Sequence, residues 1–243
     1  MNKSLLAVLL IALASPAVFG QFAPPIDTVY TENFDGTLGA DSIAANYNTD
    51  STNATRSWND TSYIKTTGNA SFHTQIYAND SIVFETDAFT TVTYTNVRLT
   101  FDQICKIRYI QKAFIQMSRD NGATWVNLTS THYQGGSPQF SSQGWFNELS
   151  YPSQLLTPYW YGPTIGNSNT GTGPTPTTAS DWWARETFDL SSYLGTYDNT
   201  NSQYGYANCK LRFIMSNKTG TPSPSALEGW FVDNLMVEGA PCE

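Results

Sequence analysis

Apolar and polar residues alternate at period two in six windows of the chain, 81–84, 91–100, 106–117, 124–128, 211–215 and 230–237. All six are rich in Val, Ile, Thr, Tyr and Phe, which suit a pleated, half-buried surface. No stretch shows a capped helical period; the best, 181–194, reads as loop or strand. Strands joined by turns without helical crossovers predict an all-β fold, an antiparallel β-sandwich of jelly-roll type. The expected layout is an extended segment over 21–30, one jelly-roll domain over 31–239 and a short tail over 240–243. Its core is expected to include Cys105, Ile107, Tyr109, Leu211 and Phe213.

Two hexapeptides nearly repeat, CKIRYI at 105–110 and CKLRFI at 209–214. In each, the cysteine and alternate apolar residues share one face and the Lys and Arg share the other. Lys106, Arg108, Lys210 and Arg212 then form either a basic stripe for an acidic ligand or the outward face of two strands, whose charges blunt an exposed sheet. The second reading is the simpler. The interval of about 100 residues is too long for a solenoid repeat.

Between 133 and 183 the chain turns dense in Gly, Pro, Ser, Thr and aromatics. The centre, 165–180, lacks large apolar side chains and reads as an exposed loop, a length often reserved for function. Its aromatic flanks, Trp145, Trp160, Tyr161, Trp182 and Trp183, either stack on a ligand such as a sugar ring or fold the loop back onto the sandwich.

The first 20 residues carry Lys3, a short apolar run and small residues at Val18 and Gly20, the pattern of a secretory signal peptide. No later apolar stretch has the length of a membrane span, so the expected product is exported. Three cysteines, Cys105, Cys209 and Cys242, allow at most one internal bridge, and burial of Cys105 as a free thiol is the default reading. Only 13% of the 243 residues are charged, against about 25% in an average soluble chain. The net charge is −8 and no basic run occurs, which argues against a nucleic-acid partner. Seven Trp, fourteen Tyr and thirteen Phe argue against disorder.

Catalytic patterns are missing. His73 and His132 stand alone, there is no metalloprotease helix motif, no serine elbow and no phosphate loop. Glu85 and Asp87 lie two apart on one strand face, where a solvated face explains them more simply than a glycosidase pair. The chain is therefore read as non-enzymatic.

One local motif is sharp: Ser118-Arg119-Asp120-Asn121-Gly122-Ala123-Thr124-Trp125 resembles an Asp-box hairpin. Asp120 and Asn121 are expected to satisfy the turn's amides, Gly122 to tolerate positive φ, and Trp125 to pack beneath. A single copy rules out a propeller and marks a folding device rather than a catalytic one.

The segments 31–36 (TENFDG), 99–125, 133–135 (YQG), 182–191 (WWARETFDLS) and 229–237 (GWFVDNLMV) occur in an order that resembles the MAM/concanavalin-like jelly-roll modules of secreted Bacteroidota proteins, similar to cleaved-adhesin and choice-of-anchor domains. The resemblance covers about 27–239. It implies a structural Ca²⁺ where first and last strands meet, held by Glu32 and Asp233 with Asp35 as a third carboxylate, hard oxygen donors of the kind calcium prefers. Such modules usually ride on larger adhesins or proteases, and the expectation for this one is that it acts alone or by assembling.

Beyond the first 20 residues, six N-x-S/T sequons lie at Asn53, Asn59, Asn69, Asn79, Asn127 and Asn217. Among the Asp-Ser/Thr-x tripeptides, those at Thr28, Ser42, Ser51 and Ser81 resemble Bacteroidota O-glycosylation sites. Either modification favours exposed positions. Two roles compete. One is a secreted, non-enzymatic surface or matrix protein, an adhesion module or a subunit of a fibre. The other is a carbohydrate-binding module using the loop aromatics on surface glycans. For assembly, Pro24 and Pro25 keep 21–30 extended, so that Phe22, Ile26 and Val29 can fill alternate pockets of a neighbouring copy by strand addition.

Overall fold

The structure is a computed structural model and describes residues 26–35, 44–48, 58–61, 65–74, 80–107, 110–135, 140–141, 144–147, 183–217 and 229–242. Two antiparallel sheets face each other. The six-stranded sheet holds β1 (Asp27–Glu32), β3 (Asn59–Thr61), β4 (Ser71–Thr74), β6 (Tyr94–Lys106), β9 (Ala184–Asp189) and β13 (Gly229–Pro241). Its order is β3-β4-β13-β6-β9, with β1 added to the rest of β13. The five-stranded sheet runs β2 (Ala44–Asn48), β5 (Asp80–Glu85), β12 (Lys210–Asn217), β7 (Lys112–Ser118) and β8 (Val126–Asn127). A small hairpin of β10 (Tyr197–Asp198) and β11 (Gln203–Tyr204) follows a single helical turn, α1 (Ser191–Leu194). This is the antiparallel jelly-roll sandwich that the period-two pattern predicts.

Alternation drives the packing. Along β12, Leu211, Phe213 and Met215 are fully buried while Lys210 and Arg212 turn outward. Along β6, Val97, Leu99, Phe101 and Cys105 point into the sandwich. Phe84 stacks on its cross-strand partner Phe213 at 4.7 Å, Phe34 stacks on Phe72 at 5.2 Å, and Trp58, just ahead of β3, meets Phe84 of the opposite sheet edge-on at 4.9 Å. Such pairs add about 0.5–1.5 kcal/mol each beyond the area they bury. A second aromatic group, Tyr133, Phe140, Phe146 and Phe188, closes the other part of the core. One polar chain crosses the interior. The indole N–H of Trp230 donates to Gln103 (2.7 Å), Gln103 donates to Glu186 (2.9 Å), and the Tyr133 hydroxyl donates to Glu186 (2.6 Å). Both Glu186 oxygens are thus met although the side chain is fully buried, as a buried carboxylate requires.

Two differences from the sequence reading stand out. Residues 106–117 do not form one strand: β6 ends at Lys106 and β7 starts at Lys112, because the chain leaves one sheet for the other there. The two hexapeptides consequently lie in different sheets, with Cys105, Ile107, Cys209, Leu211 and Phe213 all buried as expected. Tyr109 and Arg108 fall outside the described residues. The domain also begins earlier and ends later than 31 and 239. Residues from Asp27 pair with β13, and β13 itself reaches Pro241.

Candidate functional site

The Asp-box segment joins β7 to β8 as a hairpin. Asp120 Oδ1 accepts the Ser118 hydroxyl (2.7 Å) and the Thr124 N–H (2.8 Å), and Oδ2 accepts the Thr124 hydroxyl. Ser118 Oγ in turn accepts the Gly122 N–H at 2.8 Å. Gly122 holds φ +88° with the Trp125 ring beneath it, the packing the motif predicts. Trp125 also receives Arg212, whose guanidinium lies 4.2 Å from the ring centre. Partial burial works against the Asp120 charge, but the Thr124 and Ser118 hydrogen bonds outweigh it and hold the carboxyl below its ordinary value.

Across from this turn stands the β10–β11 hairpin. Buried Thr91 anchors its base: its hydroxyl donates to Leu194 O (2.7 Å) and accepts the Tyr206 N–H (3.0 Å). Asp198 caps the hairpin turn, accepting the Thr200 N–H (2.9 Å) and the Asn201 amide (2.7 Å). Those bonds, led by Asn201, hold its carboxyl below the usual range. The two turns are tied together, since the Asn121 N–H donates to Asn208 O at 2.8 Å. Between them Arg119 is clamped, its guanidinium 4.8 Å from the ring centres of both Tyr193 and Tyr206, with one N–H on the Tyr206 hydroxyl at 2.9 Å.

The result is a polar groove of about 500 Å³ bordered by Arg119, Asp120, Tyr197, Asp198, Asn201 and Tyr206. At its rim Tyr197 is 46% exposed and packs edge-on at 5.3 Å against Tyr204, itself 44% exposed. Carboxylate acceptors, amide donors and exposed rings on a hydrogen-bonded frame suit a ligand rich in hydroxyls and C–H faces. Both aspartates favour the ionised form, which does not fit the raised general acid of a glycosidase.

The sequence expectations fall elsewhere. Trp183 packs against the core. Trp145 is half-buried, with the Lys112 ammonium 3.9 Å from its ring centre. Trp160, Tyr161 and Trp182 lie outside the described residues. Glu85 faces Arg212 at 4.0 Å on the outward side of β5 and β12, in keeping with an ion-paired face. Burial, and then the nearby Glu186, pushes the Cys105 thiol well up, and burial raises Cys209 to about 11. All three cysteines are free thiols, and neither buried one is poised as a nucleophile.

The three carboxylates expected to hold calcium are each engaged by hydrogen-bond donors. Asp233 is fully buried; its Oδ2 accepts the Thr66 N–H (2.8 Å) and hydroxyl (2.6 Å), and its Oδ1 accepts the Asn234 N–H (2.8 Å). Asp35 accepts the backbone N–H groups of Asn69 and Ala70. Glu32 accepts the Phe34 N–H at 2.8 Å. Among the described residues no group of three or more His, Cys, Asp and Glu side chains is placed to hold a metal ion.

Of the expected modification sites, Thr28, Asn69 and Asn127 are exposed and Ser81 is half-buried in β5. Asn217 is fully buried, where an attached glycan has no room. Asn59 lies in β3, and Asn53, Asn79, Ser42 and Ser51 lie outside the described residues. Val29, expected to seat in a neighbour, packs against its own core through β1, while Ile26 is 55% exposed; Phe22 lies outside the described residues. Among the described residues no helix is long and apolar enough to cross a membrane.

The groove was missed in the sequence because its two walls are 77 residues apart or more and each reads as an ordinary turn. The signal that was present is Tyr197-Asp198-Asn199-Thr200-Asn201, a polar turn led by a tyrosine.

No protein-family model and no curated protein matches the chain. Several solved structures are similar at low identity. The K2 cleaved adhesin domain of Lys-gingipain is 9% identical, covering 86% of this chain and 98% of that domain, with a TM-score of 0.43. The CBM22-1 xylan-binding domain from Paenibacillus barcinonensis Xyn10C is 7% identical, covering 91% and 99%, with a TM-score of 0.39. The glycoside hydrolase domain of Endo-D from Streptococcus pneumoniae R6 is 12% identical, covers 82% of this chain and has a TM-score of 0.37; this chain spans only 22% of its length. Likenesses this distant carry neither ligand nor role over to this chain.

Proposed function

We propose that the protein is an exported, non-enzymatic binding module that attaches to a glycan through the groove between the Asp-box turn and the β10–β11 hairpin. The carrying observation is the groove itself: two ionised carboxylates, an amide and a clamped arginine line it, with exposed Tyr197 at the rim. A pyranose presents hydroxyl pairs to the first group and a C–H face to the tyrosine, so both halves of the sugar find partners. Calorimetric titration with a panel of soluble oligosaccharides tests this. Binding that Tyr197→Ala and Asp198→Ala each weaken at least tenfold supports the reading; binding untouched by both places the ligand elsewhere.

Assembly is a second reading, favoured by Ile26. That exposed side chain borders a cavity of about 280 Å³ beside Arg98 and Glu238, at the start of β1, where the chain enters the sheet. Because β1 already fills its place in its own sheet, any linking segment must precede Asp27. Sedimentation of protein beginning at Gln21 against protein beginning at Asp27 decides it: polymer in the longer form alone supports assembly.

A further inference from the structure

We infer that the groove selects neutral sugars and excludes those bearing carboxylates; this rests on the glycan-binding reading above. The argument is one of charge and commitment. Two carboxylates, Asp120 and Asp198, border the groove, and among the described residues that border it the one cation is Arg119. Thr124, Ser118, Thr200 and Asn201 hold each carboxylate in its turn and favour its ionised form. Arg119 is committed. Its guanidinium carbon lies 4.8 Å from two tyrosine ring centres and one N–H is spent on the Tyr206 hydroxyl, so it is held against those rings and its single charge stands against two. The groove therefore presents an excess of acceptors with negative charge. Hydroxyl groups donate to such acceptors. A sugar carboxylate cannot, and it adds a third negative charge beside the two already there. At physiological salt the Debye length is about 8 Å, so the chain's overall charge of −8 is largely screened while charges within the groove still act. Near a protein surface one such like-charge contact is enough for a discrimination of about tenfold.

The test uses matched pairs that differ only in charge: N-acetyllactosamine with and without terminal sialic acid, xylohexaose with and without a 4-O-methylglucuronate branch, and oligogalacturonides as methyl esters and as free acids. Calorimetric affinities are measured for the wild type and for Asp198→Asn, which keeps a good turn residue and removes one charge. The expected result is that at least one neutral member binds, its acidic counterpart binds about tenfold more weakly, and Asp198→Asn narrows that gap. Acidic members binding as well as or better than neutral ones overturns the inference and leaves the glycan reading standing. A gap that Asp198→Asn leaves unchanged also overturns it, since the groove carboxylate is then not the excluding group. Binding of no pair at all removes the glycan reading itself.

Discussion

Asp35 and Asp233 in one part of the molecule, and Asp120 and Asp198 in another, are all carboxylates gripped by hydrogen-bond donors of a nearby turn. The grip is similar; the outcome is not. Asp233 lies wholly inside, clamped by Thr66, and its neighbour Asn234 bridges to Thr66 (2.7 Å) and Asp102 (2.8 Å) in a left-handed conformation with φ 48°. Asn234 sits where the pairing of β13 with β6 shifts register between Asp233 and Met236, so this network pins an irregularity in a central strand. Asp120 is exposed, Asp198 partly so, and both border open space. Identical chemistry thus closes on itself in one place and, in the other, leaves acceptors facing solvent, where the proposed ligand would find them.

The contrast breaks most readily at Asp233. Asp233→Ala leaves the Thr66 N–H and hydroxyl and the Asn234 N–H without their acceptor inside the protein, and should cost about 3 kcal/mol in urea melts. Asp198→Ala should leave the midpoint nearly unchanged while weakening ligand binding. Equal losses in both would erase the distinction.

Next in size is Gly205→Ala. Gly205 supports the groove hairpin at φ +76°, and an added Cβ would lie 1.8 Å from Thr91 O. A loss of about 2 kcal/mol is expected from strain and displaced backbone, together with lost groove binding. A neutral effect would show that the hairpin is not fixed by its contact with Thr91.

A pH series sharpens the contrast by sign. Burial raises Glu186, and raises Asp233 against the hydrogen bonds from Thr66 and Asn234. Groups with raised folded values bind protons more tightly when native, so they favour folding at low pH. That stability declines as pH rises from about 4 through the folded value. Asp120 and Asp198 are lowered, so their contribution is present above about pH 4 and fades as pH falls through their folded values. Glu186→Gln should flatten the decline on the alkaline side and leave the acid limb in place, read from unfolding free energies across pH 3–8. An unchanged alkaline slope would mean that Glu186 is not the group responsible.

The smallest expected effect is that of chelation. If hydrogen-bond donors satisfy Glu32, Asp35 and Asp233, a calcium chelator leaves the melting temperature where it was. A fall in the wild type that Asp233→Asn abolishes would instead place an ion among these residues.

Much of the architecture could be read along the chain because strand patterning is local. The windows around 81–84, 211–215 and 230–237 became β5, β12 and β13, since alternate apolar residues have one way to face a core. The Asp box was equally legible, because Ser118, Asp120, Gly122 and Thr124 satisfy one another within a single turn. Where reading failed, the partners were distant. Asp233 gave no sign that Thr66, 167 residues away, would occupy it. Nor did Val29 show that it would pack against its own core rather than in a neighbour. The aromatics at 145 and 183 could be read either as platforms or as packing, because exposure is not written in a residue's identity. Sequence by itself determined the strands, the sandwich and the shape of each turn, all set by sterics and neighbours a few residues apart. Only the tertiary structure decided which carboxylates face water, because that depends on which turns the two sheets bring together.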